Sequence, residues 1–80
     1  MVQRKAIPVG HDRQILVTTE RLNDGQWAVV ASIIETTPNG ERVVDLPVIE
    51  ERFATEEEAE TLGLTQARSW MEQNLPQAAA

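Results

Sequence analysis

Four of the five residues from 56 to 60 are glutamates, inside the stretch RFATEEEAETLG at residues 52–63. With Glu50 and Glu51 just upstream, Glu56, Glu57 and Glu58 form the densest set of potential metal ligands in the chain. Carboxylate oxygens at such density suit a hard cation such as calcium, or an acidic surface that docks a basic protein. The spaced D-x-[DN]-x-[DN]-G order of a calcium loop is absent, however, and consecutive helical side chains point in different directions. A second candidate is His11 beside Asp12, because imidazole titrates near neutral pH; no nucleophile lies near it in sequence. Trp27 and Trp70 are two of three aromatic residues, the third being Phe53, and such rings can stack on bases or sugars. Phosphate-loop, nucleophile-elbow and dinucleotide-binding motifs are all missing. The chain is therefore expected not to be an enzyme, and to hold no metal and no cofactor.

The elements around these residues account for most of them. Thr55, followed three positions later by Glu58, has the pattern of a capping box. Glu56 and Glu57 then occupy a first helical turn, where the helix dipole favours negative charge. Beyond it Ala59, Leu62, Gly63, Gln66, Ala67, Trp70 and Met71 recur at helical spacing along one side. Pro76 ends the helix, and residues 76–80 read as a frayed tail. Ala59, Gly63 and Ala67 fall every four positions. A glycine in a helix interior costs roughly 1 kcal/mol relative to alanine, so Gly63 predicts a close approach of the helix to a sheet or another helix.

Upstream, residues 13–22, 26–37 and 41–53 are rich in β-branched and apolar residues and read as strands. The turns NDG at 23–25 and PNG at 38–40 join them into an antiparallel meander. Pro47 cannot donate to a ladder, which makes the third strand an edge strand or a bulged one. The expected fold is α+β, β-β-β-α, as one domain over residues 13–75. Residues 1–12 read as an N-terminal arm, extended or disordered, because Pro8 interrupts any strand there.

The second strand is apolar on both sides: Trp27, Val29, Ala31 and Ile33 alternate with Ala28, Val30, Ser32 and Ile34. If both turns are two-residue loops, Leu16, Leu22, Leu46 and Val48 share the Trp27 face, and Ile15, Val17 and Ile49 the Val30 face. A three-residue turn slips the register and exchanges the third strand's two sets. One helix covers one face, so the other must be covered by the N-terminal arm, RKAIPV, or by another chain. The arm is short and holds Pro8, so a second copy is expected, as a homodimer, with exchange of helices between subunits as one arrangement.

Composition narrows the class further. Eighty residues make a single domain, in which folding hides only about 60% of the unfolded surface. There is no cysteine to staple it, which leaves packing or a partner subunit. The formal net charge of −6 resides entirely between residues 45 and 60, where seven acidic residues face Arg52 alone. That balance makes nucleic acid an unlikely ligand. The competing expectation is a single-stranded nucleic-acid binder that uses the sheet with Arg4, Lys5, Arg13, Arg21 and Arg42. The start has no secretory signal pattern and no segment spans a bilayer, so a cytoplasmic protein without membrane contact is expected.

The segments DGQWAVVASI, PNGERVV and RFATEEEAETLGLTQARSWMEQNL together resemble small bacterial proteins of unknown function. In those, a tryptophan-bearing hairpin leads through an F-x-T-x-x-x-A segment into one C-terminal helix. Phe53, Thr55, Ala59 and Trp70 match that outline. The resemblance implies an α+β domain and a dimer, and carries over no catalytic or binding residue. The function expected is a small non-catalytic homodimeric interaction module. Its acidic surface, with Glu50, Glu51, Glu56, Glu57, Glu58, Trp27 and Trp70 as contact candidates, would face a basic protein partner.

Overall fold

The computed structural model describes residues 2–73. They form β1 (Val2–Val9), β2 (Arg13–Arg21), β3 (Trp27–Thr37), β4 (Gly40–Asp45) and α1 (Glu56–Gln73). The strands make one antiparallel sheet in the order β1-β2-β3-β4, with α1 packed on β2 and β3. The α+β class holds, but the sheet has four strands rather than three. The added strand is the segment read as an N-terminal arm, paired with β2 from Val2↔Glu20 to Val9↔Arg13. Pro8 does not prevent this because β1 is an edge strand, which has no neighbour on its outer side to receive an N–H. The helix's predicted stop at Pro76 and the tail at 76–80 lie outside the described residues.

Register decides which apolar residues become core. At the first turn, the Leu22 N–H donates to the Gln26 carbonyl (2.7 Å) and the Gly25 N–H to the Leu22 carbonyl (3.0 Å). Gly25 has φ of 85°, the left-handed position that a three-residue hairpin loop requires. The extra residue slips β2 by one against the two-residue expectation. Ile15 therefore pairs with Ile33 and Val17 with Ala31, so both join the Trp27 face, while Leu16 turns to the Val30 face. The second turn is the expected two-residue loop, with Thr37 opposite Gly40, and Leu46 reaches the Trp27 face and is buried.

The third predicted strand is shorter than expected. β4 ends at Asp45, and after Leu46 donates to the Ala31 carbonyl (3.2 Å) the chain leaves the ladder at Pro47. It returns at Phe53, which exchanges two backbone hydrogen bonds with Trp27 (2.8 and 3.0 Å). Residues 47–52 thus form an excursion from the sheet edge. Val48, expected on the Trp27 face, is instead 73% exposed, because the proline has taken the chain out of the pleat.

The core lies between α1 and the sheet: Ile15, Val17, Val29, Ala31, Ile33 and Leu46 meet Ala59, Ala67 and Met71. Gly63 is the point of closest approach. A Cβ built there would stand 2.8 Å from Val29 Cγ2 and 3.3 Å from Val17 Cγ1, which is why the helix tolerates a residue of poor propensity.

Candidate interaction surfaces

The helix start forms as its sequence predicts. The Glu58 N–H donates to Thr55 Oγ1 (3.2 Å), satisfying one of the N–H groups that a helix leaves free. The return half differs from the usual box: the Thr55 hydroxyl donates to Glu58 Oε1 (3.3 Å). Glu56, Glu57 and Glu58 fill the first turn. Part of the acidic knot is therefore local helix chemistry.

The remaining geometry divides the glutamates between two flanks of α1. On the β1 flank, Lys5 Nζ donates to both carboxylate oxygens of Glu60 (2.9 and 3.2 Å). The Gln3 side-chain amide, with its nitrogen turned to the helix, donates to Glu56 (3.1 and 3.3 Å). The hydrogen bond to Glu60, and after it the Glu60 charge, hold the Lys5 ammonium above the ordinary lysine value. On the opposite flank, Glu57 and Glu58 stand with Phe53, Thr55, Thr61 and Leu62 around an open cavity of about 460 Å³. Glu50 and Glu51 stand with Val48, Ile49, Leu62 and Gln66 around another of about 600 Å³. Leu62 lines both, so they read as one groove between α1 and the 47–52 excursion. Asp45 belongs to neither flank; it lies on the far side of the sheet, where Ser32 Oγ donates to it (3.1 Å).

Gln66 ties the groove's walls together. Its Nε2 donates to the Pro47 carbonyl (2.9 Å), while its Oε1 is buried and has no hydrogen-bond partner among the described residues. A buried acceptor left unmatched costs on the order of 1–3 kcal/mol. Sequence reading did not single out this groove. Pro47 was its one signal, because a proline that ends a ladder before the next pairing point forces a loop between them.

The other predicted contact residues are distributed differently. Trp27 and Trp70 are half-buried and pack against the core from the helix side; they do not form an exposed platform on the open sheet face. His11 is exposed in the β1–β2 turn, where the neighbouring Asp12 carbonyl accepts the Thr36 N–H (2.7 Å). Among the described residues, no group of three or more histidines and carboxylates is arranged to hold a metal ion. No described helix is long and apolar enough to cross a membrane. Three of the five cations considered for nucleic acid are matched to carboxylates. Arg13 and Arg42 flank Glu35 at 3.2 and 3.5 Å, and Lys5 is held by Glu60.

The sheet face turned away from α1 is the second candidate surface. Its cross-strand rows run Arg4–Thr18–Val30, Ala6–Leu16–Ser32–Asp45 and Pro8–Gln14–Ile34–Val43. Val30 and Val43 are 42% and 59% exposed, and no described element lies over them. The apolar middle is bordered by Arg4 on the β1 edge and by Glu41 and Asp45 on the β4 edge.

No curated protein and no solved structure matches the chain. Residues 3–80 match the family described as Domain of unknown function (DUF6566), and the chain belongs to that family.

Proposed function

We propose that the protein is a non-catalytic homodimeric interaction module. Two copies associate through the open sheet face, and each presents the acidic flank of α1 to a basic protein. The observation that carries this reading is the apolar middle of that face, exposed Val30 and Val43 with half-buried Leu16 and Ile34, over which no described element lies while α1 closes the opposite face. A contiguous apolar patch rimmed by polar residues marks an association surface on a small domain. Its borders support self-association. A two-fold axis along the strands lays the Arg4 edge of one copy over the acidic β4 edge of the other, so one patch complements itself. Such a module would work in the cytoplasm, and a chain without cysteine is compatible with a reducing compartment.

Sedimentation equilibrium over a hundredfold range of concentration tests the proposal. The expected result is a dimer that Val30→Glu or Val43→Glu converts to a folded monomer. A wild-type chain that stays monomeric at tens of micromolar overturns it.

A further inference from the structure

The groove between α1 and the 47–52 excursion differs from the rest of the acidic surface in having an apolar floor and, at Glu50, Glu51 and Glu57, carboxylates with no hydrogen bond or ion pair among the described residues. Val48, Ile49, Phe53 and Leu62 supply apolar surface along it. Glu50 and Glu51 border one of its two cavities and Glu57 and Glu58 the other. On the β1 flank of the same helix, the corresponding carboxylates of Glu56 and Glu60 are already engaged by Gln3 and Lys5. Arg52, next to Glu51 in the excursion, turns its guanidinium to the backbone carbonyls of Glu50 and Glu51 (3.1 and 3.2 Å). Gln66, which lines the groove, has a buried carbonyl oxygen with no donor among the described residues.

From this we infer that the groove is the docking site for a short basic, amphipathic segment of a partner protein. Two or so apolar side chains of that segment enter beside Leu62 and Val48, and its Lys or Arg residues lie against the glutamate pairs that border the two cavities. The inference names the partner class for the interaction reading above and rests on it, but it does not depend on dimerisation. Charge complementarity selects the occupant. Four glutamates bordering an apolar floor repel an acidic segment, and a purely apolar one would leave them unused. The groove wall on α1 runs from Glu58 to Ser69, about 17 Å along the helix axis, which is the reach of about five residues of extended chain.

The test uses the full chain and a fluorescein-labelled peptide in which two leucines are flanked on both sides by lysines, read by fluorescence anisotropy at low ionic strength. Saturable binding is expected, weakening as added salt shortens the screening length. Combined Glu50→Gln, Glu51→Gln and Glu57→Gln should weaken it about tenfold; Glu58 is left in place because it caps the helix. Val48→Ser should weaken it several-fold with little change in the melting temperature, since Val48 is 73% exposed. The inference is overturned by no binding at low salt, by undiminished binding of the triple variant, or by equal binding of a peptide with serines replacing its leucines. The Val43→Glu variant separates the two proposals. Retained binding by a monomer keeps the groove while sparing it any dependence on the dimer, whereas lost binding moves the probe to the sheet face and overturns the groove.

Discussion

Along β3, Val29, Ala31 and Ile33 lie beneath α1 and are buried, whereas Val30 and Ile34 lie on the face that α1 does not reach. The two sets have nearly the same composition. What separates them is the company each keeps on β2: the three-residue turn at Gly25 brings Ile15 and Val17 to the Val29 side and leaves Leu16 with Thr18 and Gln14 on the other. One face thus gathers β-branched residues from two strands opposite the small side of a helix. The other keeps a thinner apolar band between polar borders. The first stabilises the monomer, and the second is the surface proposed for association.

Truncation on each face measures that contrast directly. Ile33 is fully buried, so Ile33→Ala should cost about 2–5 kcal/mol in urea unfolding. Val30→Ala removes side-chain surface that is already partly wet, and at concentrations below dimer formation it should cost no more than about 0.5 kcal/mol. At high concentration the Val30 variant should lose stability relative to wild type, because binding energy then adds to folding. Equal costs at low concentration would break the comparison between the faces.

Gly63→Ala sharpens the same comparison by overfilling the covered face. The new methyl meets Val29 Cγ2 at 2.8 Å, and valine is stiff at χ1, so the helix must lift or the strand must yield. We expect a net loss of about 1–3 kcal/mol, despite the roughly 1 kcal/mol that alanine gains in helix propensity. Val29→Ala in the same chain should recover part of it, so the double variant costs less than the two single costs added. Next in size is Thr55→Ala, which removes the acceptor for the Glu58 N–H and should cost about 1 kcal/mol. A loss no larger than that of Thr65→Ala, on the exposed side of the same helix, would mean that the cap contributes nothing.

Much of this architecture was legible in local chemistry. Thr55 and Glu58 announce the helix start and Gly63 the close approach, because each depends on neighbours within a few residues. Pro47 marked an edge strand or a bulge, but not that the strand expected through residue 53 stops before it. The register of β2 was not legible. NDG fits a two-residue or a three-residue loop, and the choice moves Ile15 and Val17 from one face to the other. β1 was missed because Pro8 counts against a strand only where both edges are paired, and nothing in residues 2–9 says that this strand will be outermost. The groove was hidden for a related reason. Glu50 and Glu51 on the excursion and Glu57 and Glu58 on the helix form one acidic run in sequence, and the fold distributes them over two adjoining cavities that share Leu62.

The β1 flank of α1 offers the smallest test, and an unusually clean one. Lys5 is the only lysine, and the chain has neither tyrosine nor cysteine, so between about pH 9 and 12 no other side chain titrates. Glu60 raises the Lys5 ammonium above its ordinary value through a hydrogen bond and through its charge. A group whose pKa is higher in the folded chain binds its proton more tightly there. It therefore contributes stability that is complete below the unfolded value, about 10.4, and disappears as pH rises through the folded value. Wild type and Lys5→Gln should accordingly differ by a constant small amount in urea midpoint from pH 7 to 9, and the difference should shrink above pH 10.5 or so. A difference that persists undiminished at pH 12 would mean that Lys5 holds β1 to the helix through its alkyl stem, with no contribution from the ion pair. The matched flank would then owe its contact to packing, and the contrast with Glu50, Glu51 and Glu57 of the groove would rest on Gln3 and Glu56 alone.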